Sequence, residues 1–172
     1  MNYATIKRHD VANGPGVRVS LFVSGCTHRC PGCFNPETWD FAYGDPCDQT
    51  VIDGILDSLA PSYIKGLSLL GGEPMEPANQ AAVLDIVRQV RARYPEKTIW
   101  CYSGYLFENL LAGRVGDGET VRQLLSQLEV LVDGPFVEGL KNPSLRFRGS
   151  SNQRLIDVQA SLQRGEVVLW DE

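Results

Sequence analysis

VRVSLFVSGCTHRCPGC, residues 17–33, sets a β-branched and aromatic run against a glycine-punctuated loop that carries three cysteines. Residues 17–24 read as a buried strand, so the loop leaves that strand's C-terminal end. Cys26, Cys30 and Cys33 stand at C-x3-C-x2-C spacing, and no fourth ligand of the same kind follows nearby. A closed structural zinc site uses four ligands, and an electron-transfer iron-sulfur cluster normally takes four cysteines. Three clustered thiols therefore point to a metal centre with one position open for chemistry. Pro31 stiffens the turn, and Gly32 lets backbone N–H groups approach cluster sulfurs. A zinc knuckle completed by His28 or by a distant residue is the bland alternative. His28, placed between two ligands, reads better as a supporting or surface group than as a ligand.

Beyond this loop, strands and helices alternate. Ile52, Ile55, Leu56 and Leu59 fall at helical spacing before Pro61, and a strand is expected at 65–72. Val83, Ile86, Val87 and Val90 repeat the helical stripe up to Pro95; strands at 97–102 and 129–133 flank a helix through Val121, Leu124, Leu125 and Leu128, with a shorter helix near 106–111. The tail segments 154–158 and 165–170 are expected to add one or two edge strands. The order predicts an α/β fold with a mostly parallel sheet and right-handed crossovers, with the chemistry on the face formed by the loops after the strands. A full eight-unit barrel needs about 200–250 residues, so the 172 residues of this chain allow only a partial, open (β/α) barrel. One domain over 1–172 is expected.

Composition narrows the class. Hydrophobic residues make up 43% of the chain and charged residues 22%, enough for one substantial core. Sixteen basic against 21 acidic residues leave a formal charge of −5, which makes nucleic acid a poor partner. No apolar run long enough to span a membrane and no signal-like N-terminus is present, so a cytoplasmic protein is expected. Five cysteines, three of them within eight residues, suit metal ligation in a reducing compartment better than disulfides. Cys101 reads as a buried core residue, and Cys47 as an incidental or redox-active thiol; either could still supply a fourth ligand.

Gly71-Gly72-Glu73-Pro74 follows the second of these strands. Two glycines allow close backbone approach to a ligand, and Glu73 offers acceptor oxygens to an ammonium group. Ser103-Gly104 and Asp133-Gly134 close the next two strands, where they serve either a ligand or the turn itself. Gly14-Pro15-Gly16 reads as a turn. Trp39, Phe41 and Tyr43 either cover the core or present an aromatic patch, and Lys141, Arg146, Arg148 and Arg154 form a local basic group.

The cysteine loop and the GGE sequence resemble those of the radical S-adenosylmethionine superfamily. That resemblance implies that Cys26, Cys30 and Cys33 hold a [4Fe-4S] cluster whose fourth iron takes S-adenosylmethionine, with Gly71, Gly72, Glu73, Ser103 and Asp133 as cofactor-binding positions. Residues 13–41, 69–74, 131–136 and 145–158, the last containing RGSSNQR, are similar to the glycyl-radical activases of anaerobic ribonucleoside-triphosphate reductase. The similarity implies reductive cleavage of the cofactor to a 5′-deoxyadenosyl radical, which installs a glycyl radical on the large reductase subunit. A low-potential donor such as flavodoxin would supply the electron, and no general acid or base is required. Where a longer related activase carries Asp before the Gly-Pro-Gly turn, this chain has Asn13, which leaves that position without an assigned role. The alternatives are activation of another glycyl-radical enzyme, a small-metabolite substrate, or a non-catalytic iron-sulfur or zinc module.

Overall fold

The computed structural model describes residues 1–171. Along the chain run β1 (Asn2–Asp10), β2 (Val17–Val23), a 3-10 turn at Pro36–Trp39, β3 (Asp45–Pro46), α1 (Gln49–Ser58), β4 (Ile64–Gly71) and α2 (Pro77–Arg93). They are followed by β5 (Thr98–Ser103), α3 (Phe107–Leu111), α4 (Gly118–Gln127), β6 (Val130–Asp133), a second 3-10 turn at Glu138–Leu140, β7 (Arg154–Asp157) and α5 (Val158–Arg164). Local chemistry sets the helix ends. The Asp48 side chain caps α1 by accepting from Val51 N at 3.0 Å, and Asp117 caps α4 by accepting from Thr120 N at 3.1 Å. Pro77 opens α2 in the first turn, where its missing N–H costs nothing.

The strands form one open sheet in the order β3-β1-β2-β4-β5-β6-β7. Its four central strands, β2, β4, β5 and β6, pair in parallel, while β1, β3 and β7 join antiparallel at the edges. The expected α/β class and open sheet with a parallel centre are therefore present. Two details differ. β1 escapes sequence reading because only its last residue is buried, so NYATIKRHD carries little apolar signal. In the tail, β7 forms, but 165–170 contributes only an isolated bridge between Ile156 and Leu169; Gly165 caps α5 with φ +72°, and the segment after it is irregular.

Alternation along the strands separates two faces. Val19, Leu21, Leu67, Leu69, Ile99, Cys101 and Leu131 point to the helices and join Ile55, Val83, Val87, Val121 and Leu124 in the main core. The opposite face is built in rows. Ser20 pairs with Ser68, Ser68 with Trp100, and Trp100 with Val130; nearer the strand ends, Phe22 pairs with Leu70 and Tyr102 with Val132. Among the described residues, no helix covers this second face. Phe147 and Trp170 pack edge-on against Trp100 instead, at centroid distances of 5.3 and 5.0 Å. The covering loop thus leaves a space between itself and the upper rows of the sheet.

Candidate metal and cofactor site

That space is a cavity of about 710 Å³ at the C-terminal ends of the parallel strands, within the size range of small-molecule sites. Cys26, Cys30 and Cys33 all line it, together with Gly71, Gly72, Glu73, Ser103 and Gly104. Parallel pairing of β2, β4 and β5 brings their terminal loops to one rim, which is why residues 26 and 104 share a site. Cys47 and Cys101 do not line the cavity. Cys101 lies in the helix-facing core, and Cys47 sits beside the β3 edge with its N–H donated to Met1 O.

All three cysteines line this one cavity. Among the described residues, no three His, Cys, Asp or Glu side chains converge closely enough for a single metal ion. A polynuclear cluster, which meets each cysteine at a different iron, is compatible with such spacing. Burial, reinforced by the charges of Glu73 and Glu76, pushes the Cys26 thiol up to about 11, so ligation there must displace a proton. The Cys33 N–H donates to Cys30 O at 3.1 Å, and Asn35 N donates to Cys33 Sγ at 3.4 Å, a backbone contact of the kind that tunes cluster sulfurs.

Two glutamates tie this loop to the rest of the site. Glu73, 1% exposed, accepts at Oε1 from Ser103 Oγ (3.1 Å) and Gly104 N (2.7 Å), and its Oε2 accepts from Met75 N at 2.8 Å. His28 Nε2 also lies 2.7 Å from Glu73 Oε1, and this hydrogen bond raises the imidazole pKa against the opposing effect of burial. His28 is therefore a supporting group, packed edge-on against Tyr105 at 4.4 Å. Glu76 holds the neighbouring residue, accepting from Thr27 N at 3.0 Å and from Tyr105 Oη at 3.2 Å. Sequence reading missed Glu76 and Tyr105; a second carboxylate three residues after Glu73 was the available signal.

The Glu73 carboxylate has four protein partners, three at Oε1 and one at Oε2, so its side chain braces the rim while still lining the cavity. Gly72 packs so tightly that a methyl group there would lie 2.7 Å from Gly25 O and 2.8 Å from Thr38 O. Gly71 adopts φ +122°, with any Cβ only 2.5 Å from the Val23 backbone. Asp133 is placed behind the wall: it is fully buried, does not line the cavity, and accepts from Arg154 Nε (2.9 Å), Arg154 Nη2 (2.5 Å) and Phe107 N (2.8 Å). Its neighbours Val132 and Gly134 reach the cavity.

The remaining candidates fall into place around this centre. Trp39 lines the cavity, Phe41 covers Gly25, and the Tyr43 carbonyl accepts from Ser24 Oγ. Phe34, 61% exposed, lies 5.1 Å from Phe136 and under Lys141 at the mouth. The basic group of the tail does not act as one surface patch: Arg154 turns inward to Asp133 and Glu108, Arg148 lines the cavity, and Arg146 stacks on Phe147. The Gly-Pro-Gly turn rests on Arg18, which is fully buried and donates to Ser68 Oγ, Leu67 O and Thr98 O. Burial pushes that guanidinium down to about 10, and a methyl group at Gly14 would come within 2.8 Å of it. Asn13 lines the cavity and donates to Asp10 Oδ2 at 2.7 Å.

A family described as a 4Fe-4S single cluster domain matches residues 12–156. The anaerobic ribonucleoside-triphosphate reductase-activating protein of Escherichia coli K12 is 44% identical over 155 residues, covering 89% of this chain and 96% of the relative. This chain belongs to the anaerobic ribonucleoside-triphosphate reductase-activating protein family. Relatives with the same name from Vibrio cholerae and from bacteriophage T4 are 44% and 40% identical, over 89% and 90% of this chain and 96% and 93% of their own lengths. For an activating protein of this family, the iron-sulfur cluster is the expected group of the three-thiol cavity. Among the described residues, no helix is long and apolar enough to cross a membrane.

Proposed function

We propose that this chain is an activase for anaerobic ribonucleoside-triphosphate reductase, in which Cys26, Cys30 and Cys33 hold a [4Fe-4S] cluster and the adjoining strand-end loops hold S-adenosylmethionine. The observation that carries this reading is the convergence of all three cysteines and the Gly71–Glu73 loop on one cavity, in a chain whose relatives are named for activating that reductase. When bound, the cluster and cofactor supply reductive sulfonium cleavage and hydrogen-atom abstraction from glycine.

The chain's own residues bind, orient and exclude water. Three thiols leave one cluster position for the cofactor. Gly71 and Gly72 bring backbone close to it, Ser103 and Gly104 border it, and Glu73 fixes these loops relative to one another through His28. Asp133 supports the wall through Arg154 and the α3 N-terminus. Phe22, Leu70 and Val132 provide the apolar lining that keeps water from a radical centre. On this reading the open sheet with its parallel centre serves as a partial barrel of the radical S-adenosylmethionine type, and the one-electron donor is a low-potential protein such as a flavodoxin.

Electron paramagnetic resonance of the anaerobically reconstituted, reduced chain tests the reading. The expected result is a cluster signal perturbed by S-adenosylmethionine, followed by a glycine-centred doublet on added anaerobic reductase. Cys30→Ala is expected to fold yet hold no intact cluster. A perturbed cluster without a doublet removes the reductase as partner, and full cluster retention in Cys30→Ala removes the ligand assignment.

A further inference from the structure

Two polar atoms of the cavity have no part in the scheme above. Tyr102 Oη and Arg148 Nε are buried without a hydrogen-bond partner among the described residues, and both residues line the cavity. Buried donors without partners are rare in folded proteins, because desolvation is then uncompensated. Two in one cavity mark a place where a ligand completes the bonding.

Their positions define the ligand's chemistry. Tyr102 is the polar member of an otherwise apolar row, paired with Val132 and level with Phe22 and Leu70, one residue inward from the Ser103 rim. Burial holds its phenol pKa well above the usual value, so it donates as a neutral hydroxyl. Arg148 comes from the other wall, the covering loop, where Nη1 donates to Gln153 O at 2.5 Å. Gln153 in turn accepts from Gly149 N at 2.9 Å and donates to Gly134 O at 3.1 Å, which fixes the guanidinium against the β6 end. Glu73, the carboxylate that lines the cavity, is engaged by four protein partners of its own. A sheet-borne hydroxyl and a loop-borne guanidinium together ask for oxygen acceptors lying between sheet and loop. A polypeptide segment centred on glycine presents no side chain there and is held by its backbone carbonyls.

We infer that Tyr102 and Arg148 form a donor pair that binds backbone carbonyl oxygens of the polypeptide segment bearing the target glycine, inward of the cofactor loops. This rests on the activase reading. The pair positions the glycine for hydrogen-atom transfer and takes no part in bond making.

Tyr102→Phe and Arg148→Met test it in the reconstituted chain. In the apo chain, Tyr102→Phe removes an unpaired hydroxyl from an apolar row, so the midpoint of urea unfolding should stay or rise. In the loaded enzyme, cofactor affinity, read from the perturbation of the cluster signal, should change by less than about twofold. The yield of glycyl radical on anaerobic reductase per cofactor cleaved should fall about tenfold in each variant, the loss of one hydrogen bond to a buried partner. A drop in cofactor affinity with the yield ratio unchanged would assign the pair to the cofactor and overturn the inference. An unchanged ratio with unchanged affinity would overturn it too, as would marked destabilisation of Tyr102→Phe. Absence of any radical with the unmodified chain would instead count against the activase reading itself.

Discussion

Glu73 and Asp133 are both strand-end carboxylates that fix geometry: Glu73 accepts from two main-chain N–H groups and the Ser103 hydroxyl beside His28, and Asp133 from one main-chain N–H and one basic side chain. For Asp133 that side chain is Arg154, whose own pKa is raised chiefly by this hydrogen bond. Arg154→Met leaves a fully buried carboxylate without its cation, and a loss of about 2–4 kcal/mol is expected, since Arg154 itself is partly exposed. Urea unfolding measures it. Adding Asp133→Asn removes the uncompensated charge and should recover part of the loss. No recovery in the double variant would mean that Arg154 acts through packing alone.

At the scale of elements, two loops leave adjacent parallel strands and interlock. Gly72 N donates to Val23 O at 2.9 Å and Glu73 N to Gly25 O at 2.9 Å, so the Gly-Gly-Glu loop is hydrogen-bonded directly to the start of the cysteine loop. Gly72→Ala forces a methyl group against two carbonyl oxygens, Gly25 O at the start of that loop and Thr38 O in the 3-10 turn that follows it. The loops must separate by several tenths of an ångström. The expected outcome is retention of the cluster with at least a tenfold loss of cofactor affinity, seen as a weaker shift of the cluster signal on titration. Unchanged affinity would show that the interlock does not set the cofactor's seat. The helices tell a simpler story: apolar residues at helical spacing, with Pro61 and Pro95 as stops after the first two, made α1, α2 and α4 legible from sequence, whereas β1 was not, because a strand with one buried residue leaves no periodic apolar trace.

Across the whole molecule, the sheet is covered on one face by helices and on the other by a loop. Phe147 anchors that loop on Trp100 while adopting φ +61°, a left-handed conformation that a bulky residue adopts only when surrounding contacts compensate. Phe147→Ala should lower stability by about 2–3 kcal/mol, less than for a fully buried aromatic, and shift tryptophan fluorescence to the red as Trp100 and Trp170 gain water. Unaltered fluorescence would mean that the loop does not depend on this contact. By itself the sequence determined the α/β class, the three-thiol loop at a strand end and the glycine pair beside it, because each depends on neighbours within a few residues. Only the tertiary structure decided that Glu73 braces His28 and Ser103, that Asp133 lies behind the wall, and that Tyr102 and Arg148 meet one cavity. Those relations join residues 21 to 46 positions apart, and pairings across such separations are set by strand order and burial, which local spacing does not encode.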